Sequence, residues 1–156
     1  MTTNLNNSMV NLQRSVKDFC ITNLITTASL NVYFDIKYVD TKLVDAAKIK
    51  QWIVVDINNI NSWGVLKTAA VSFYLHSRND PEGDDLAGLR DSLFVYLEDM
   101  SKTDGQVRIP LYNTSTNKPW AKLGDMLVYV MSESPVYIAD DKTKFREISV
   151  LLRWAI

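Results

Sequence analysis

Thr143-Lys-Phe-Arg-Glu-Ile-Ser-Val-Leu-Leu-Arg-Trp-Ala-Ile156 closes the chain and decides how the rest of it is read. Arg146, Ile148, Val150, Leu152 and Trp154 fall on one side of an extended segment. Phe145, Glu147, Ser149, Leu151 and Arg153 fall on the other. This two-residue period is that of a strand. Chain ends fray unless a sheet holds them, so this one reads as a structural strand long enough to cross a whole sheet. A small sheet protein that ends this way, with no catalytic motif in view, reads as a building block more than as an enzyme.

Two further extended runs supply neighbours for that strand. Gln51–Ile57 is rich in β-branched residues, and Gly64–Arg78 alternates over its whole length. Between them Asn58-Asn59-Ile60-Asn61-Ser62 has the composition of a turn. The stretch 51–78 therefore predicts one long β-hairpin with an Asn-rich tip. Leu30–Tyr38 predicts another strand, and Val39–Lys50 a polar connection.

Two helices are expected. Met9, Leu12, Val16, Phe19, Cys20, Leu24 and Ile25 recur at steps of three, four and one, which predicts an amphipathic helix over Ser8–Ala28. The Ser8 hydroxyl is placed to cap it. After the breaker Asn79-Asp80-Pro81-Glu82-Gly83, a second helix runs over Asp84–Met100, its stripe made by Leu86, Leu89, Leu93, Phe94 and Leu97. Asp84 and Asp85 suit the positive end of its dipole. Shorter strands follow around Val107–Leu111, Met126–Val130 and Val136–Ile138. The fold class is α+β: an antiparallel-rich sheet with two helices packed on one face and a long protruding β-hairpin.

The 156 residues suit one domain. A formal net charge of −1 argues against a dedicated nucleic-acid binder, which carries a basic excess. Cys20 is the single cysteine, so no internal disulfide and no cysteine-based metal cluster can form, and a reducing compartment is the simpler expectation. The N-terminus has neither the basic nor the apolar region of a secretory signal, and no apolar run is long enough to span a membrane.

The search for chemistry returns ordinary structural roles. His76 is the single histidine, in the long strand, on the same side as Tyr74 and Arg78. Glu82, Asp84 and Asp85 read as helix-start residues, and Asp140-Asp141 as a turn. The five glycines are scattered and form no phosphate loop. Cys20 lies on the apolar side of its helix, where burial is expected. No catalytic, cofactor or metal residue is assigned. Of the four tryptophans, Trp52 and Trp154 fall in strands and are expected in the core. Trp63 follows the Asn-rich tip and Trp120 follows Lys118-Pro119 in a loop, where large aromatics mark either protein contacts or local packing.

The order of these elements resembles the tail terminator proteins of long-tailed bacteriophages. The resemblance rests on the N-terminal helix, the strand QWIVVDINN, the strand VLKTAAVSFYLHSRND with the helix GDDLAGLRDSLFVYLED directly after it, GQVRIPLYN, and the final TKFREISVLLRWAI. It implies a homo-oligomeric ring, commonly a hexamer, at the head-proximal end of the tail tube. Such a ring ends tube polymerisation and offers the surface that the head–neck connector joins, while DNA passes through the lumen without sequence recognition. It implies residence in the virion after assembly in the host cytoplasm, with no membrane. The interface candidates are Asn58, Asn59, Asn61 and Trp63 on the hairpin and Tyr112, Lys118 and Trp120 around the second loop. The alternatives are another neck or tail-tube component, or a monomeric α+β ligand-binding domain or enzyme.

Overall fold

In a computed structural model, which describes residues 4–34 and 49–155, the final strand is the spine of the sheet. β7 (Lys144–Ala155) lies between β3 (Leu66–Ser77) and β5 (Ala121–Glu133), antiparallel to both. It pairs with β3 in unbroken register from Leu66↔Ala155 to Ser77↔Lys144. Its alternation sorts as the sequence predicts: Ile148, Val150, Leu152 and Trp154 are buried, and Arg153 is exposed.

The strand order is β1-β2-β3-β7-β5-β4, with β6 (Tyr137–Ile138) also against β7. β2 (Gln51–Trp63) and β3 form the expected hairpin, and β4 (Arg108–Asn113) pairs with β5. β1 (Val32–Phe34) runs parallel to β2, so the sheet is mixed at that edge. The expected strand beyond Phe34 and the connection up to residue 48 lie outside the described residues.

Both helices cover the same face. α1 (Met9–Cys20) contributes Leu12, Val16 and Cys20, and α2 (Asp84–Leu97) contributes Leu86, Leu89, Leu93 and Leu97, to one core with the inward residues of β2, β3, β4, β5 and β7. The expected α+β architecture is thus present: an antiparallel-rich sheet, two helices on one face, and a long hairpin.

Three boundaries differ from expectation, each for a physical reason. The Ser8 hydroxyl does accept the Asn11 amide at 3.2 Å, but the α-helix ends at Cys20 and continues as wider turns over Ile21–Thr27. There the Ala28 amide reaches back five residues to the Asn23 carbonyl. This rotates Ile25 out to the surface while Leu24 stays buried. The second helix ends at Leu97, leaving Met100 exposed. It is capped by neither Asp84 nor Asp85. The Asp80 carboxylate accepts the Leu86 amide at 2.9 Å and the Asp85 amide at 3.3 Å, across Gly83, whose φ of 80° only glycine adopts without strain.

The third difference is the hairpin tip. Asn58–Ser62 is strand, not turn. A bulge between Ile57 and Ile60 accommodates Asn58 and Asn59, and pairing resumes from Ile60↔Ala69 to Trp63↔Leu66. The turn is the two-residue Gly64-Val65, with Gly64 at φ 64°.

The tryptophans expected in the core are both buried, but on opposite faces. Trp154 lies under the helices, its indole N–H donating to the Asn6 carbonyl at 2.9 Å. Trp52 belongs to a smaller cluster with Val54 on the other face. There Trp52, His76, Phe145 and Tyr137 occupy paired positions on β2, β3, β7 and β6 and form a row, the first two pairs stacked and the last tilted, with ring centroids 4.9, 5.9 and 5.5 Å apart.

Candidate subunit interface

The strand registers bring the two predicted contact regions to one end of the sheet. Trp63↔Leu66 closes the hairpin and Leu66 pairs with Ala155 at the end of β7. Leu127 pairs with Arg153, so β5 starts beyond the same end, and its Ala121 pairs with Asn113 of β4. The hairpin turn and the loop 114–120 therefore flank the end of β7.

The hairpin arm is exposed along its outer half. Asn58, Asn59 and Asn61 are exposed, Trp63 is 75% exposed and Val65 68%. Among the described residues no strand pairs with the outer side of β2 beyond Val55. The run Asn58–Trp63 carries no charge and no proline, two of the devices that blunt an open strand edge; the bulge at Asn58 and Asn59 is a third, and beyond it the edge from Ile60 to Trp63 is left open. Lys67 braces the arm from the core side. Its ammonium is buried beside the tip and donates to the Ser62 hydroxyl at 2.7 Å and to the Gly64 carbonyl. The sequence reading missed Lys67, because alternation puts an inward lysine where an apolar residue is expected.

The second region is built differently. Trp120 is half-buried against Tyr112 at 6.0 Å, and its indole N–H donates to the Thr116 carbonyl at 3.0 Å. The Lys118 ammonium lies 4.6 Å from the Trp120 ring and pairs with Asp18 of α1 at 2.6 Å. The loop is also clamped to α1 through its backbone. The Thr114 amide and hydroxyl both donate to Asn11 Oδ1, at 3.0 and 2.9 Å. Arg14 donates to the Thr114 carbonyl at 2.9 Å, and the Tyr112 amide donates to the Ser15 hydroxyl at 2.9 Å. α1 side chains thereby occupy the outer side of β4, so that edge is covered while the hairpin arm is open. Asn11 and Ser15, both buried, are residues that sequence reasoning passed over.

The groups weighed as chemistry occupy structural positions. Cys20 is buried in the core, and burial pushes its thiol up to about 12. His76 lies between the rings of Trp52 and Phe145 with its Nδ1 3.1 Å from the Tyr74 carbonyl oxygen, so Nδ1 carries the proton. Burial lowers its pKa to about 4, with Arg78 pushing the same way. Asp141 accepts the Thr143 amide at 3.0 Å within the turn before β7.

No protein-family model and no curated protein sequence matches the chain. Among solved structures, one similar chain, described by a serial designation alone, shares 10% of the sequence at a TM-score of 0.53. The match covers 90% of this chain and 94% of the other. At that identity the likeness concerns the fold.

Proposed function

We propose that this protein is a tail terminator: it forms a closed ring on the head-proximal end of a long phage tail tube, stops tube growth and offers the joining surface for the head. The observation that carries the proposal is the hairpin arm braced by Lys67, with the run Asn58–Trp63 uncharged and Trp63 and Val65 exposed at its end. A large exposed aromatic at the tip of a stiff arm suits burial against another protein. A ring needs a heterologous contact, in which one surface of each subunit meets a different surface of the next. The arm serves as the donating surface. The resemblance in element order supports the same reading, and the near-neutral charge suits a wall past which DNA slides.

The partners are then further copies of this chain, the tail tube protein and the head–neck connector, with DNA in the lumen. Sedimentation of the purified protein, alone and mixed with tail tubes, tests the ring. A species several times the monomer mass, or co-sedimentation with tubes, is expected. A monomer at high concentration that ignores tubes contradicts it.

A further inference from the structure

The outer edge of the arm presents its backbone groups in a fixed order. In an antiparallel ladder, alternate residues turn their N–H and C=O toward one neighbour, and the residues between turn theirs to the other side. Before the bulge the Ile53 amide faces outward and donates to the Asn31 carbonyl at 2.8 Å. The Arg78 amide donates to the Lys50 carbonyl at 2.8 Å, so the even-numbered residues there face β3. The bulge seats Asn58 and Asn59 together opposite Ala70 and shifts this alternation by one. Beyond it Trp63↔Leu66 closes the two-residue turn as a bonded pair. Trp63 and Asn61 therefore face β3, while Ile60 and Ser62 each hold an N–H and a C=O toward the open side. The side chains alternate as well. Asn61 and Trp63 stand exposed on the helix-free face. Ile60 and Ser62 stand on the helix side, where Ile60 packs on the core and Ser62 meets Lys67.

We propose that this edge pairs with the same edge of a second copy of the chain, antiparallel about a two-fold axis at Asn61. An open edge is satisfied by another open edge, and β4, at the far side of the sheet, is covered by α1. The outward groups set the register. Ile60 of each copy exchanges both its outward backbone bonds with Ser62 of the other. A slip to either side brings the bulge or the Gly64 turn into the ladder and loses bonds. Asn61 then faces Asn61 of the second copy, and a carboxamide, being donor and acceptor at once, bonds its own likeness. Trp63 lies across from Asn59 of the second copy, which covers part of an indole that is 75% exposed. The run Asn58–Trp63 is uncharged, so no like charges meet across the axis. A contact of this length falls short of the area a permanent dimer needs, so the pair forms reversibly. It is isologous, unlike the ring contact, and goes beyond the ring reading: paired arms are withheld from a ring until the pair opens.

The experiment uses the purified full chain without tubes. Sedimentation equilibrium should show a monomer moving toward twice its mass as concentration rises. Asn61→Lys sets a like charge against itself on the axis, leaves the β3 ladder intact, and should weaken the dimer by about tenfold or more. Under mild oxidation Asn61→Cys should form a disulfide-linked dimer about ten times faster than Trp63→Cys, because residue 61 faces its own copy and residue 63 does not. Cys20 is buried and stays out of the reaction. A chain that stays monomeric, a dimer indifferent to Asn61→Lys, or crosslinking of Trp63→Cys as fast as of Asn61→Cys would overturn the proposal. A dimer that ignores tail tubes removes the ring reading alone. A ring on tubes whose free subunits fail the crosslinking test removes the pairing alone.

Discussion

Trp63 and Trp120 carry the same side chain in opposite circumstances. Trp63 is three-quarters exposed at the hairpin turn, whereas Trp120 is packed on Tyr112 and hydrogen-bonded to Thr116. Trp63→Ala should therefore shift stability by no more than about 0.5 kcal/mol while weakening assembly. Trp120→Ala should cost about 1 kcal/mol or more through the lost aromatic contact and buried area. Urea unfolding and sedimentation of both variants check this, and a Trp63 variant that assembles normally would remove the hairpin from the interface. Two titratable residues give pH tests. Burial pushes the Asp80 pKa up, but the Leu86 and Asp85 amides outweigh it and hold the carboxylate below its ordinary range. Its contribution is then fully present above the unfolded value, about 3.9, and lost as pH falls through the lower folded value. Asp80→Ala should cost about 1 kcal/mol at neutral pH, as loss of a helix cap does, and the gap to the parent should narrow below about pH 4. His76 acts between its folded pKa of about 4 and the unfolded value near 6.5. In that window the unfolded chain binds the proton first, so the melting temperature should fall as pH drops from 6.5 to 4. His76→Gln should flatten that slope.

At the scale of elements, the strands and helices that bury one face were legible from their periods. β7 is the clearest case, because its alternation persists over twelve residues and both its neighbours need it. Truncation before Ile148 removes Ile148, Val150, Leu152 and Trp154 from the core. At roughly 1.5–3 kcal/mol for each buried side chain, the loss rivals the whole stability of a domain. The truncated chain should lack a cooperative thermal transition, and a folded truncation would contradict the spine role of β7. The misreadings come from signals that composition does not carry. Asn58–Ser62 looks like a turn because asparagine favours turns, yet pairing with β3 supplies the backbone bonds and a bulge absorbs the mismatch. The direction of β1 is set by what it pairs with, which three residues cannot announce. The Asp80 cap acts six residues ahead of Leu86, outside the spacing at which caps are sought. The clamp of Asn11, Arg14 and Ser15 on residues 112–114 joins positions about a hundred residues apart. Of the interface candidates, exposure of the hairpin was readable from its polar composition. The gathering of both regions at one end of the sheet follows only from the registers.

The whole molecule has two dissimilar ends joined by β7. One carries the open arm and the clamped loop. The other carries β6, with Tyr137 and Ile138 exposed. Under the proposed reading, a ring between a tube and a neck uses both ends. The central claim is that this chain ends tube growth. Its most direct test is electron microscopy of phage lacking the gene. The account predicts tails of uncontrolled length that fail to join filled heads, restored by the intact gene; tails of normal length joined to filled heads would contradict it.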